Sequence, residues 1–329
     1  MNRKWLLAVL RDETKSAFIL FAVSFSTILW VLSPFAENLF SFANSQISIG
    51  AFSVDLRTLA SEYLLAIFFL IAGIELRQEL TFGSLNSFKK AATPTFAAIG
   101  GMAVPALLFI VISNNDAAWG VPMATDLPFA LGVIAIFGKR LSLEVRAFLL
   151  ALAIVDDALS VLIITFAFGH ATIHPTFIAV VIGLLIPSKN EVGEKIREIL
   201  QPVSSGIALP LFAISALAVP ITWQDLFSSD SFAVSSARLM GKPLGVLAGA
   251  LIAIYLLKAV SSISKKEILV VGCVASLGFS VSLLFANLSG LSPSSLISIT
   301  AAIIAAIPLC AALGAIASSM TKDPSKSRQ

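Results

Sequence analysis

The chain has 329 residues, of which 57% are hydrophobic and only 12% are charged. This composition is far from that of soluble domains and is typical of a polytopic membrane protein. The formal net charge of +3 is small and gives no support for nucleic-acid binding. The two cysteines, Cys273 and Cys310, lie far apart in apolar segments, where buried core positions are expected rather than a disulfide or a metal site.

Ten segments are apolar enough to be membrane-span candidates, each close to the roughly 20 residues that a span requires. They lie near 16–35, 59–77, 91–112, 118–138, 146–168, 173–187, 205–223, 233–257, 267–288 and 293–319. The connections are short, which predicts a single membrane domain over residues 1–329. The first span is expected to serve as an uncleaved insertion signal. We therefore predict an all-α membrane fold of about ten helices.

Two segments outside the spans carry their own predictions. Residues 45–56 alternate partly between apolar and polar types around a glycine, which predicts a short outward β-hairpin, with an irregular loop as the alternative. Residues 320–329 form a polar tail that is predicted to be disordered.

The basic residues predict the orientation of the chain. If both termini are cytoplasmic, all 22 lysines and arginines except Arg57, Arg238 and Lys242 fall at the inward side. Lys and Arg gather on the cytoplasmic side of membrane proteins, and shifting the count by one span would destroy the asymmetry. The sequence thus predicts a multi-pass protein of the plasma membrane, the inner membrane in bacteria, with both termini inside.

Four ionisable side chains lie deep within predicted spans: Asp126, Asp156, Asp157 and Lys242. Each costs roughly 2.5–3.5 kcal/mol at the centre of a membrane, so all four must be paired, protonated or hydrated. A structural ion pair with the lysine could accommodate one aspartate. Because adjacent helical residues point about 100° apart, Asp156 and Asp157 cannot easily share that partner. The pattern favours an ion or proton site.

Two spans carry residues that weaken a helix near the same depth. Pro122 and Pro128 bracket Thr125 and Asp126 in the fourth span, which predicts an opened helix there. Glycine and serine residues at 276–282 mark a similar point in the ninth span, although close helix packing is the alternative. Each span is the middle of a trio, at about 91–168 and 233–319, and the trios run in opposite directions. This arrangement predicts the inverted repeats of a secondary transporter.

Several stretches make the chain similar to a known family. They are FFLIAGIELRQELTFGSL at 68–85, PMATDLPFALGVIAIFGKR at 122–140, FLLALAIVDDALSVLII at 148–164, ALPLFA at 208–213, GKPLGV at 241–246 and LGFSVSLLFANL at 277–288. In this order they resemble the NhaA-type sodium/proton antiporters, a family of inverted-repeat transporters with broken, crossing helices.

The resemblance implies roles for individual residues. Asp157 would bind Na⁺ or Li⁺ and exchange it for protons. Asp156 would act with it, paired to Lys242 in one state and exchanging a proton as the pair breaks. Thr125 and Asp126 would lie where the broken helices cross. The remaining family positions are three glutamates and a histidine that would form an ion funnel or respond to pH: Glu62, Glu75, Glu79 and His174. An ordinary loop position is the alternative for His174 and its neighbour His170. A homodimer is possible, and no cofactor is expected beyond the transported ions.

The chain departs from the family pattern in two places. Residues 77–80 read Arg-Gln-Glu-Leu where the family usually has Lys-Arg-Glu-Leu, which removes one basic group. The resemblance therefore does not predict that this chain shares the family's pH regulation. The segment after Asp157 continues directly into residues that match the family's eighth helix, so two intervening helices are missing. Loss of an even number of spans preserves the downstream orientation. A short variant with a complete ion-binding core is therefore expected.

The sequence favours an electrogenic sodium(lithium)/proton antiporter that works by alternating access and serves pH homeostasis. A buried carboxylate favours its neutral form, whereas a nearby cation favours the charged form, so Na⁺ and protons can compete for one acidic site. The alternatives are a cation channel or uniporter, a symporter for an organic anion, and a degenerate homologue that does not transport. The chain has no nucleotide-binding motif and is not expected to be an enzyme.

Overall fold

A computed structural model describes residues 8–49, 52–83, 85–113, 116–137, 141–167, 175–187 and 192–320. These ranges are mostly helical and include one small sheet. The predictions for His170, His174 and residues 321–329 of the polar tail lie outside the described residues.

Twelve helices follow the short helical stretch at residues 8–11 within the described ranges. They are α1 Glu13–Val31, α2 Ala36–Ala43, α3 Leu56–Thr81, α4 Phe88–Ile112, α5 Leu127–Phe137, α6 Leu143–Ala167, α7 Pro175–Leu185, α8 Val192–Leu217, α9 Ser229–Leu256, α10 Lys265–Ala275, α11 Ser280–Leu288 and α12 Pro293–Ser319. Single 3₁₀ turns lie at Asp116–Ala118 and Asp225–Phe227.

Strands β1, Gln46–Ile49, and β2, Phe52–Asp55, pair in an antiparallel register that places Gln46 opposite Asp55. The predicted hairpin is therefore confirmed. Leu56 begins α3 immediately after the second strand, and Asp55 caps that helix by accepting a hydrogen bond from the Thr58 amide.

Six of the helices are long and apolar enough to cross a membrane, and up to eight spans result if each of two bent helix pairs counts as one. The bent pairs are α1 with α2, at 119°, and α10 with α11, at 59°. The predicted segments near 118–138 and 173–187 contain only the 11-residue helices α5 and α7. By this criterion, the structure gives fewer full-length spans among the described residues than the ten predicted.

The largest boundary difference concerns α8. The sequence predicted a span from about 205 to 223, but the helix runs from Val192 to Leu217. Its first three turns contain four charged residues: Glu194, Lys195, Arg197 and Glu198. A search for continuous apolar sequence does not detect helical turns of this composition. Helical order therefore begins well before the apolar run.

Three long helices contain a π turn: Leu59–Leu64 in α3, Ser204–Ala208 in α8 and Ala237–Gly241 in α9. The turns in α8 and α9 end two residues before Pro210 and Pro243. A proline has no amide donor, and its ring clashes with the carbonyl four residues earlier, so the preceding turn widens. In α9 this widened turn lies directly before Lys242.

Helices α4 and α9 pack with their backbones in near contact. A Cβ atom on Gly100 would lie 2.2 Å from the carbonyl oxygen of Gly245, so only glycine permits this approach. Small residues at such crossings are characteristic of membrane helix pairs. This contact fixes α9 against α4 and thereby fixes the basic side chains of α9.

Large apolar side chains are buried around α11 and exposed on α1. Phe279 and Phe285 belong to the main core, whereas Phe18, Phe25 and Leu29 of α1 are each about half exposed. Exposed aromatic and aliphatic surface of this kind suits contact with lipid. Cys273 and Cys310 are both buried as free thiols, as expected from the sequence.

Candidate functional site

Two breaks in the helical structure form the centre of the site. Residues 124–126 are non-helical between a run of turns and α5, and residues 277–279 are non-helical between α10 and α11. The predicted openings at Thr125–Asp126 and in the serine- and glycine-rich segment are thus confirmed. Both breaks leave backbone amides and carbonyls without their usual helical partners.

The two broken segments cross in direct contact. The Asp126 amide donates to the Leu277 carbonyl at 2.7 Å, and the Thr125 hydroxyl donates to the Ala275 carbonyl at 2.9 Å. Gly278 allows the approach, because a Cβ atom there would lie 2.2 Å from the carbonyl oxygen of Ala124. Backbone groups that one break leaves free are thus satisfied by the other.

The Asp126 carboxylate lies at the start of both following helices. One oxygen accepts from the Phe129 amide at 3.3 Å, in the first turn of α5. The other accepts from the Ser280 amide at 3.0 Å and from the Ser280 hydroxyl, at the start of α11. Helix N-termini carry partial positive charge, so one buried carboxylate compensates two of them.

Two cations lie on the carbonyl side of the same crossing. The buried Arg238 donates to the carbonyls of Gly278 at 2.8 Å and Val121 at 3.2 Å, and to the Ser282 hydroxyl at 2.6 Å. The buried Lys242 donates to the Met123 carbonyl. The crossing therefore has a negative side chain at its amide ends and positive side chains at its carbonyl ends.

Lys242 also forms an ion pair with Asp156. The lysine Nζ lies 3.1 Å from each carboxylate oxygen, and both side chains are fully buried. The Thr125 amide donates to the same carboxylate at 2.9 Å. Asp156 on α6 is therefore attached both to α9 and to the first broken segment.

Asp157 is buried like Asp156 but differs from it in its partners. Within the described residues it accepts no hydrogen bond and lies in no ion pair, although only 6% of its surface is exposed. It lines a cavity bounded by α1, α3, α5, α6 and α8. The other polar residues of that cavity are Ser16, Glu75, Gln201, Ser204 and Ser205. The second carboxylate thus faces a cavity that contains several polar side chains, and not a lysine.

The three glutamates predicted on the second span do not form one group. Glu75 lines the cavity and lies 3.5 Å from Arg197 of α8. Glu79 is half-buried one turn further along and does not line the cavity. Glu62 lies 13 residues before Glu75, about 20 Å along the helix, and belongs to the opposite end.

The sequence analysis missed several parts of this site. Arg238 was noted only as a basic residue within a span, although its position one turn before Lys242 marks the same helix face. Gln201, Ser204 and Ser205 carried no recognisable signal, because polar residues in an amphipathic helix usually face solvent. The ion pair between Glu75 and Arg197 joins residues 122 positions apart and has no local pattern.

Long apolar helices, lipid-suited surfaces and a buried cluster of acids and cations define a multi-pass membrane protein of the transporter class. Comparison with known proteins gives the family. The Na⁺/H⁺ antiporter 1 family matches residues 7–172 and 166–317, and the chain belongs to this family.

Individual relatives agree with this assignment. The chain is 32% identical to an antiporter named Na(+)/H(+) antiporter NhaA from Nocardia farcinica, covering 87% of this chain and 84% of the relative. It is 31% identical to the protein of the same name from Pasteurella multocida, covering 85% and 90%. The Na(+)/H(+) antiporter NhaA 2 of Rhodococcus jostii is 31% identical over 87% and 85%. Proteins with these names are transporters and not enzymes.

Proposed function

We propose that this protein is a secondary sodium/proton antiporter whose ion-binding carboxylates are Asp157 and Asp156. Its membership of the Na⁺/H⁺ antiporter 1 family supports the reaction, and the relatives carry that activity in their names. The site supports the residue assignment. Li⁺ is a second cargo ion in this proposal, since it carries the same single charge as Na⁺.

The observation that carries the proposal is the different bonding of the two neighbouring aspartates. Asp156 has a lysine and an amide as partners, whereas Asp157 has no partner among the described residues and faces the polar cavity. A desolvated carboxylate without a donor is stabilised by either a proton or a cation. Asp157 is therefore the position where one can replace the other.

The charges of the site suggest how exchange becomes electrogenic. Asp126 and Arg238 balance each other, as do Asp156 and Lys242, so Asp157 holds the one remaining negative charge. One Na⁺ neutralises it. If two protons leave the site for each Na⁺ that enters, the charges exchanged are unequal. The two loaded states then differ by one charge, and transport responds to membrane potential.

Alternating access in this proposal uses the two trios of spans as inverted repeats, at about 91–168 and 233–319. The broken segments are their central elements, and the trios move as a unit against the other helices. The proposal has ten spans in all, with both termini on the cytoplasmic side of a plasma membrane, because nineteen of the basic residues then lie inside. A homodimer is compatible with this arrangement.

In this proposal, the protein is a compact member of its family that lacks two helices. Only residues 168–174 separate α6 from α7, which leaves no room for a helical pair. The family match is also divided at 166–172. In the first relative, 350 aligned positions correspond to 87% of 329 residues, about 286, so about 64 positions have no residue in this chain. Two helices with their connections account for such a gap.

Transport can be tested in vesicles with an internal pH reporter. We expect Na⁺ added outside to change the internal pH of vesicles with wild-type protein, and Asp157→Asn to abolish this change. Asp230→Asn is the matched control, because Asp230 is also an aspartate of a long helix but lies in the first turn of α9, is hydrogen-bonded to Ser298 and does not line the cavity. It should retain exchange.

The same vesicles discriminate among the alternatives. A channel or uniporter would conduct Na⁺ without driving protons uphill, so an imposed Na⁺ gradient would produce no opposed pH gradient once the potential is clamped. A degenerate homologue would show no Na⁺-dependent signal at all in correctly folded protein. If Asp157→Asn exchanged as fast as the wild type, the assignment of the site would be wrong.

A further inference from the structure

Arg238 is the one fully buried arginine of the described residues, and every hydrogen bond that it makes goes to a residue in or beside the two breaks. One terminal nitrogen bonds the Gly278 carbonyl in the second break. The other bonds the Val121 carbonyl before the first break and the Ser282 hydroxyl in α11. The guanidinium fork thus connects two segments that are more than 150 residues apart in sequence.

The chemistry of these acceptors requires a donor with a fixed charge. Carbonyls at broken helix ends carry partial negative charge and are costly to bury without a donor. Arginine keeps its proton in proteins and offers several donors in a rigid plane, whereas lysine provides a single mobile ammonium group. Arg238 therefore provides the same donors in every stage of an exchange cycle.

Lys242 faces a different set of partners. It shares its ammonium between the Met123 carbonyl and Asp156, so part of its bonding belongs to the carboxylate that neighbours the proposed ion ligand. The π turn at Ala237–Gly241 contains Arg238 and ends directly before Lys242, and it helps place both side chains at the crossing. α9 thus places one cation against neutral acceptors only, two carbonyls and a hydroxyl, and the other against a carbonyl and a carboxylate.

We propose that Arg238 is a positioning residue of the ion site, which clamps the carbonyl ends of both broken segments and so fixes the groups that hold Asp156. This inference rests on the proposed antiport function. The mechanism is geometric: Val121 is anchored by Arg238, and the residues that follow it supply the Met123 carbonyl to Lys242 and the Thr125 amide to Asp156. Releasing the anchor displaces both.

The test compares exchange kinetics of arginine variants in vesicles, normalised to folded protein. Arg238→Met should lower Vmax/KM for Na⁺ roughly tenfold or more, because small displacements of binding groups have large kinetic effects. Arg238→Lys keeps the charge but not the fork, and it should recover part of the loss. The matched control is Arg57→Met, since Arg57 also donates to a backbone carbonyl, that of Ala218 at 2.8 Å, but outside the crossing. Its Vmax/KM should stay within about twofold of the wild type, since the groups of the ion site keep their places.

The outcomes separate this role from the proposed function. A wild type without exchange would overturn the antiport proposal and the role of Arg238 with it. An active wild type with an equally active Arg238→Met variant would overturn only the role of Arg238, as would equal losses in Arg238→Met and Arg57→Met, or a lysine variant no better than methionine. If Arg238→Met does not fold, Arg238→Lys is compared with Arg57→Lys, and unchanged Na⁺ kinetics in both would likewise overturn it.

Discussion

The crossing of the broken helices and the cavity beside it both contain buried carboxylates, but those at the crossing have hydrogen-bond partners and Asp157 in the cavity has none among the described residues. At the crossing, Asp126, Asp156 and Lys242 all have hydrogen-bond partners, and the terminal nitrogens of Arg238 do as well. In the cavity, Asp157 has none among the described residues. Asp156, which is fully hydrogen-bonded, and Asp157, which has no partner among the described residues, are adjacent in the sequence.

This difference shows how a chain can bury several charges and still keep one reactive. Paired charges at the crossing replace the backbone bonds that continuous helices would have made, so they are structural. Asp157 makes no such replacement and is available to a proton or a cation. Disrupting the crossing should therefore affect folding as well as exchange, whereas disrupting the cavity should affect exchange with little effect on folding.

The largest effect on stability is expected for Asp126→Ala. The variant removes the acceptor shared by the Phe129 amide, the Ser280 amide and the Ser280 hydroxyl, while the positive charge of Arg238 remains. A buried donor left without its acceptor costs about 1–3 kcal/mol, and this variant affects three donors. We expect a large fall in the unfolding temperature of detergent-solubilised protein. Asp126→Asn retains one acceptor oxygen and should lose less, and equal stability of all three proteins would contradict a structural role.

A smaller loss is expected for Gly278→Ala. The added Cβ would lie 2.2 Å from the Ala124 carbonyl oxygen, so the two segments must separate. Overpacking of this kind costs about 1–3 kcal/mol. Gly132→Ala is the control, because its Cβ would meet only the Ala17 Cβ at 3.9 Å and alanine favours a helix. Thermal unfolding should rank Gly278→Ala below Gly132→Ala, and the reverse order would show that the crossing is not tightly packed.

Asp55 is a helix-capping carboxylate outside the crossing and the cavity, and it serves as a comparison for the buried carboxylates. Its bond from the Thr58 amide, and the bond from the Thr58 hydroxyl, hold the pKa of Asp55 below its usual value. Because the folded-state pKa is depressed, the stabilisation is present above the unfolded-state pKa and is lost as pH falls through the folded one. Asp55→Ala should cost about 1 kcal/mol at neutral pH and progressively less in acid.

Asp55→Asn separates the cap from its titration. Asparagine is also a good N-cap, so this variant should be nearly as stable as the wild type at neutral pH. Its stability relative to Asp55→Ala should not depend on acidification. Unfolding temperatures measured at several pH values check both statements, and a pH-independent difference between wild type and Asp55→Ala would contradict them.

The smallest effect is expected for Arg197→Met at the cavity. The Arg197–Glu75 pair is 3.5 Å long, and the arginine side chain is 35% exposed. Partly exposed pairs contribute only about 0.2–1 kcal/mol and are screened by salt. The unfolding temperature of the variant should therefore lie slightly below that of the wild type in low salt, and the difference should shrink in high salt. A loss as large as that of Asp126→Ala would remove the contrast between cavity and crossing.

The sequence was most informative where a local residue pattern determines the backbone. Pro122 and Pro128 predicted the first break, and Gly278 with its serines predicted the second. The partners of Arg238 could not be predicted, because Val121 and Gly278 lie 117 and 40 residues away and are placed by tertiary structure. The start of α8 at Val192 was missed because its first turns are charged. Glu62 was grouped with Glu75 by family position, although the helix places them at opposite ends.

The most direct test of the central claim is proton release when Na⁺ binds to purified protein in weakly buffered detergent. Adding NaCl to the wild type should release protons, whereas choline chloride at equal ionic strength should not, and Asp157→Asn should release none. Equal proton release from wild type and Asp157→Asn, or no release from the wild type, would contradict the account that a cation and protons compete for the unpartnered carboxylate.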